Sequence, residues 1–250
     1  MRVLRFEPFS GIAGDMALGA LLDLGADFEF VVAQVAAVVA EEVTLTATKV
    51  LSGGISATDL SVTLNPAATP PLRHWSDIRR KIMGAALATD VRDLALRIFT
   101  VLAEAEARVH GVPVDSVHFH EVGAWDSIAD IVGIAAALAN LGIERVETTA
   151  VSVGSGFVET DHGRLPVPAP ATAALLEGLP VELSGLRTEL TTPTGAALLR
   201  ALAVAVAPGA TLQVERTGWG AGKKVLADRP NALRVWLGSA ADTPLDRLWL

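Results

Sequence analysis

Apolar and polar positions alternate along RVLRFEPF, and this period of two predicts an N-terminal strand. The period breaks at SGIAGDM. A helical run, MALGALLDLG, follows and ends on Gly25 in the place of a helix-terminating glycine. Residues 28–41 read as a second helix. VTLTATKV and DLSVTLNP are rich in β-branched residues and flank a Gly53-Gly54 turn, so they predict a hairpin. NPAATPPLRH, residues 65–74, is proline-rich and irregular, and reads as a linker or mobile loop.

Beyond that loop, Ser76 is placed to cap a short helix over 77–85. The clearest helical period is in TDVRDLALRIFTVLAEAEARVHG, where Val91, Leu94, Ile98, Val101, Leu102, Ala105 and Val109 recur at three and four residues. Thr89 or Asp90 caps its start, and Gly111 with Pro113 stops it. Another helix is expected from about Asp126 to Leu141, closed by Gly142. RVETTAVSV predicts one strand, 171–178 and 193–206 predict helices, and ATLQVERTG and NALRVWLG predict closing strands. Thr192 is the expected cap of the 193–206 helix, with Pro193 in its first position. Intermixed strands and helices imply an α/β fold with a mixed sheet flanked by helices.

Composition narrows the function. Hydrophobic residues make up 51% of the 250 residues, and mean hydropathy is +0.44. Yet FVVAQVAAVVA, IVGIAAALANLGI and ALAVAVAPGA all fall short of the ~18–20 unbroken apolar residues of a membrane span. MRVLRFEPF has no secretory-signal pattern, so a cytoplasmic protein is expected. A net charge of −8 without a basic stripe argues against a nucleic-acid partner. With no cysteine in the chain, thiolate metal sites, disulfides and cysteine nucleophiles are excluded. Any metal must be held by imidazole and carboxylate, or by sulfur that arrives on a substrate.

Five stretches could carry chemistry. The first is HFHEVGAWDSIAD, residues 118–130. On an extended chain His118 and His120 point to one face, about 6.6 Å apart. Glu121 follows, and Asp126 and Asp130 share a helix face at i and i+4. Imidazole and carboxylate together suit nickel, zinc, copper or iron. Gly133 and Ala137 continue the carboxylate stripe and leave room for an ion or ligand. Helix capping by Asp126 and close helix packing at Gly133 would account for the same residues. The second stretch, FSGIAGDM, places Ser10, Gly11 and Gly14 in a turn before a helix, where backbone N–H groups hold anions. Asp15 there suits a cation or serves as a cap. The third, residues 152–172, holds Gly154 and Gly156, His162 in a loop, and prolines 166, 168 and 170 as an extended rail. In the fourth, ELTTPTGAA, the residues Thr192, Thr194 and Gly195 offer donors to a phosphate or carboxylate. GWGAGKK adds a glycine-rich turn with two lysines, outside P-loop spacing.

Taken in order, PFSGIAGDMALGALLDLGA, HFHEVGAWDSIADIVGIAAALANLGI, HGRLPVPAPATAALLEGLP, ELTTPTGAALL and GWGAG…RPNALRV resemble the LarC family over about residues 3–238. That resemblance implies insertion of Ni(II) into a pyridinium bisthiocarboxylate mononucleotide. Nickel ends on both sulfurs and a ring carbon, in a reaction tied to CTP with a divalent cation. The product is the nickel-pincer cofactor of lactate racemase and related epimerases. It further implies His118, His120, Glu121 and Asp130 at the metal, with His162 and Asp126 as base or further ligand. Ser10, Gly11, Gly14, Asp15, Gly154, Gly156, Thr192, Thr194 and Gly195 would hold the nucleotide. Family members continue into a C-terminal CTP-associated domain. Residues 1–240 here correspond to the nickel-handling part and 241–250 to a short tail, so a separate C-terminal chain is an expected partner, and a homo-oligomer stays open. Two other functions remain open: a non-catalytic nickel carrier dependent on that partner, and a metal-dependent hydrolase. Trp219 stands where the family usually has tyrosine.

Overall fold

A computed structural model describes residues 1–39, 42–68, 74–119, 125–160, 162–207 and 209–240. Its centre is a seven-stranded sheet in the order β2-β3-β10-β11-β1-β4-β9. The strands are β1 (Arg2–Glu7), β2 (Val43–Ser52), β3 (Ile55–Leu64), β4 (Arg145–Thr148), β9 (Ala203–Ala205), β10 (Leu212–Ala221) and β11 (Ala232–Ala240). β1 runs antiparallel to β11 and parallel to β4, while β3 and β10 are parallel, so the sheet is mixed. Two small sheets stand beside it: β5 (Val151–Val153) with β8 (Val181–Leu183), and the hairpin of β6 (Phe157–Thr160) and β7 (Gly163–Pro166).

The helices are α1 (Gly14–Asp23), α2 (Phe28–Val39), α3 (Trp75–Gly84), α4 (Thr89–His110), α5 (Trp125–Asn140), α6 (Pro170–Leu175) and α7 (Pro193–Leu202). Leu4 and Phe6 of β1, with Leu233, Val235 and Leu237 of β11, turn one face of the sheet into a core shared with α1, α2, α4, α5 and α7. The alternate residues of these strands are Arg5, Glu7, Arg234 and Trp236, and the Arg234 guanidinium lies 4.9 Å from the Trp236 ring centre. The alternation places large apolar residues on one face, but Val3 and Arg5 on the other face of β1 are buried as well, so that face is partly covered. No described helix is long and apolar enough to cross a membrane.

Glycines set how closely α1 lies on the sheet. A Cβ on Gly220 would stand 1.9 Å from the Met16 carbonyl oxygen, and one on Gly218 2.4 Å from that of Ala20. Gly19 returns the favour, with Thr58 O only 2.6 Å from its would-be Cβ. These contacts place the N-terminus of α1, and with it Asp15, at a fixed spot beside β3.

Several local expectations need correcting. Ser76 lies inside α3, whose N-cap is His74. α4 is preceded by Ala88 with no side-chain cap, so neither Thr89 nor Asp90 has that role. RVETTAVSV divides into β4 and β5 in different sheets, and the end of 193–206 leaves the helix as β9 to extend the main sheet beside β4. The 65–74 loop lies partly outside the described residues.

Candidate functional site

Two helix starts are held side by side. The backbone N–H of Thr192 donates to Ile12 O at 3.0 Å. A Cβ on Gly195 would meet that same Ile12 oxygen at 2.2 Å. Gly11, at φ +84°, lies against the carbonyl of Leu190. Glycine alone tolerates both that conformation and that approach. Thr192 caps α7 as expected, its hydroxyl accepting from the Gly195 N–H at 3.3 Å. The segment 11–13 thus ties the start of α1 to the start of α7.

A cavity of about 480 Å³ opens where they meet. Gly14, Asp15, Asp126, Asp130, Thr192 and Thr194 line it, together with Glu189, Lys223, Lys224 and Asn231. Each helix start contributes the positive end of a helix dipole, although the Met16 and Gly195 N–H groups are already taken by Asp15 and Thr192. Lys223 reaches Asp59 and also Ser61 Oγ, at 2.9 Å, while Lys224 donates to Glu189 O at 2.8 Å. Asn231 donates to Lys224 O at 2.9 Å and steadies the loop that carries both lysines.

Asp130 stands out within this cavity. Its Oδ1 is shut off from solvent and has no hydrogen-bond partner among the described residues. Its Oδ2 packs against Gly14, where an added Cβ would come within 2.5 Å. Burial pushes its carboxyl well above the ordinary 3.8, and repulsion from Asp15 and Asp126 adds to this against the pull of Lys223. Asp15 is raised too, chiefly by burial, against the lowering effect of the Met16 N–H and Lys223. A buried carboxylate without partners is costly unless something else completes it. Asp15 accepts from Met16 N at 2.8 Å inside the first turn of α1, whose N-cap is Ala13, so the cap role falls elsewhere.

The other sequence candidates are distributed around this cavity. Gly133 does not leave ligand space: Leu18 of α1 fills it, with Cδ2 2.4 Å from a would-be Cβ. Ser10 is fully buried and donates to Pro230 O at 2.8 Å. Gly154, just past the end of β5, lets the backbone pass Thr188 O, 1.5 Å from a would-be Cβ, and Gly156 is at φ +91°. Ser10, Gly11, Gly154, Gly156 and Gly195 are not in the cavity lining. His118 forms a β-bridge with His74, and the two rings stand 4.7 Å apart at 76°. His120 and Glu121 lie outside the described residues. His162, on the β6–β7 turn, stands 4.9 Å from the His110 ring, and His110 lies 3.3 Å from Glu106 one turn back along α4. These three line a second cavity of about 250 Å³, and Pro193 forms a wall of both cavities. Among the described residues no three His, Asp or Glu side chains gather closely enough to hold a metal ion by themselves.

His74, Glu106 and His110 were not singled out in the sequence. Glu106 and His110 had a usable signal, since acid and imidazole at i and i+4 share a helix face. His74 had none, because its pairing depends on a bridge to a distant segment.

The sequence profile of the family described as Nickel insertion protein matches residues 4–250. A protein of Geobacter sp. (strain M21) that carries the nickel insertion name is 48% identical over 242 residues, covering 97% of this chain and 63% of its own length. The Geobacter sulfurreducens counterpart is 50% identical over 240 residues, covering 95% of this chain and 61% of its own. One from Nocardioides sp. (strain ATCC BAA-499 / JS614), named pyridinium-3,5-bisthiocarboxylic acid mononucleotide nickel insertion protein, is 47% identical over 233 residues, or 93% of this chain and 59% of that one. The chain therefore spans about three fifths of the length of these relatives. No solved structure matches.

Proposed function

The chain belongs to the nickel insertion protein family, and from that premise we propose that the cavity between α1, α5 and α7 is where Ni(II) meets a pyridinium-3,5-bisthiocarboxylate mononucleotide. The observation that carries this reading is the cavity itself, in which two helix starts, threonine hydroxyls and lysines stand beside the carboxylate of Asp126. Helix starts, threonine hydroxyls and lysines suit the nucleotide's phosphate.

The chemistry follows from the donor types. Soft thiocarboxylate sulfurs outcompete oxygen and imidazole for nickel in the assembled product. A chain without cysteine has no thiolate of its own to retain the metal. Nickel is delivered by the imidazoles ahead of α5: His118 beside His74, with His120 and Glu121 in the segment outside the described residues. It then bonds to the two sulfurs and to a ring carbon. That carbon loses its hydrogen as a proton, so one C–H bond breaks, one Ni–C bond forms, and a base takes the proton. Asp126 lines the cavity and is assigned this task, while His162 lies in the neighbouring cavity. CTP and its divalent cation act through the C-terminal portion of the longer relatives. As a separate chain, that portion would be the partner of this one.

Two measurements test the reading. Calorimetric titration with Ni(II) should show at least tenfold weaker binding in a His118→Ala/His120→Ala double variant. Mixed with nickel, CTP and the mononucleotide, together with the C-terminal portion of a relative, the chain should yield a nickel-bearing product by mass spectrometry. Asp126→Asn should slow that yield at least a hundredfold. Undiminished product from Asp126→Asn would remove the cavity from the account.

A further inference from the structure

Carboxylates and phosphate donors are poor neighbours unless a cation lies between them. Asp15 and Asp130 share the 480 Å³ cavity with Thr192, Thr194, Lys224 and the start of α7. A bare phosphate at the α7 start would face both acids across a small space. Lys223 acts on both acids but is shared with Asp59, and Lys224 donates to a backbone carbonyl. Asp130 Oδ1 adds an independent observation, because it is sealed, unpartnered and attached to a residue that lines this cavity.

We propose that Asp15 and Asp130 hold a hard divalent cation, Mg²⁺ or Mn²⁺, which bridges them to a phosphate seated on Thr194 and the N-terminus of α7. The inference builds on the mononucleotide-site reading but assigns a metal other than the nickel cargo. An all-oxygen donor set selects magnesium, calcium or manganese over nickel. Magnesium keeps several waters and takes only one or two carboxylates plus substrate phosphate oxygens. That mode agrees with the absence, among the described residues, of three ligating side chains around one point. Gly14 makes the arrangement sterically possible, since any side chain there would displace the Asp130 carboxylate. The raised carboxyls of both residues mark the pair as one that a cation would relieve.

The test is Mn²⁺ binding to the full chain, followed by electron paramagnetic resonance and calorimetry, with and without nicotinic acid mononucleotide as the phosphate-bearing probe. The expected result is one Mn²⁺ per chain, at least tenfold weaker in Asp130→Asn and in Asp15→Asn. Mononucleotide should tighten Mn²⁺ binding at least fivefold, and the corresponding nucleoside, which lacks the phosphate, should not. Thr194→Val should abolish that tightening while leaving Mn²⁺ alone unaffected. Circular dichroism of each variant confirms that it is folded. Equal Mn²⁺ affinity in wild type and both Asp variants would overturn the cation site, and Mn²⁺ binding indifferent to phosphate would overturn the bridge. A chain that inserts nickel but fails these tests refutes the present inference alone. A chain that passes them but inserts no nickel refutes only the nickel reading.

Discussion

Asp130→Asn should make the protein more stable at neutral pH, at the expense of its ligand. The wild-type carboxylate has an oxygen without a partner and two acidic neighbours, Asp15 and Asp126. Leaving a buried polar group unsatisfied costs about 1–3 kcal/mol, and more when the group is charged. Asparagine keeps the shape, removes the charge and ends the repulsion. The amide is still a buried polar group, so the gain is the excess cost of the charge and its repulsion, about 1–3 kcal/mol, which for a chain of this size is roughly 3–9 °C in Tm. The sign with pH follows from the raised carboxyl. Below its ordinary value of 3.8 Asp130 is protonated in both the folded and the unfolded state, and the two proteins should be equally stable. As pH rises toward and through the elevated folded value, the unfolded carboxyl ionises freely and the folded one resists, so wild type loses stability that the variant keeps. Urea unfolding in EDTA at pH 4, 5.5 and 7 reads this directly. The variant's advantage should grow along that series. Saturating Mn²⁺ should then stabilise wild type, by about 2.7 kcal/mol at a hundred times Kd, more than it stabilises the weaker-binding variant, and so shrink the variant's advantage. A variant less stable than wild type at pH 7 in EDTA, or an advantage independent of pH, would refute the argument.

Other expectations follow from the same geometry. Thr192→Ala removes the α7 cap and should cost about 1 kcal/mol in urea unfolding, a loss that Thr192→Ser largely restores. Gly195→Ala drives a methyl into the Ile12 backbone, which cannot swing aside, and should cost about 1–3 kcal/mol or more. It should also weaken mononucleotide binding in calorimetry, because it separates the two helix starts. Glu147 accepts from Arg5 at 2.8 and 3.0 Å inside the sheet and is also paired with Arg145 at 3.0 Å, so Arg5→Ala leaves the carboxylate one guanidinium and should lower stability by about 1–3 kcal/mol. Circular dichroism melts against an Arg5→Ala/Glu147→Ala double variant check this, since the pair should cost less than the single change.

Much of the fold was legible because it depends on local period. β1, α1 with Gly25 at its end, the Gly53-Gly54 hairpin, α4 with Gly111 in the left-handed conformation, and α5 all stand close to where the residue pattern puts them. The failures lie where distant contacts decide. AVA at 203–205 is apolar enough to continue α7, and only pairing with β4 makes it a strand. Gly133 beside two aspartates looks like room for a ligand until Leu18 of another helix fills it. For the site, the sequence supplied the pieces but not their meeting. Asp15, Asp130, Thr194 and Lys224 each lie in a stretch with chemical character, yet their convergence depends on glycines 11 and 195 bringing two helix starts into contact. His118 shows the reverse: its described partner is His74, from a segment with no motif.

The central claim is that nickel and mononucleotide meet between α1, α5 and α7. A crystal of the chain soaked with Ni(II) and the bisthiocarboxylate mononucleotide, with anomalous scattering collected at the nickel edge, tests it most directly. The account predicts a nickel peak on the two sulfurs inside the cavity lined by Asp15, Asp126 and Asp130, with the phosphate against Thr194 and Lys224. Nickel and nucleotide together in the His110–His162 cavity, or anywhere else on the chain, would contradict it.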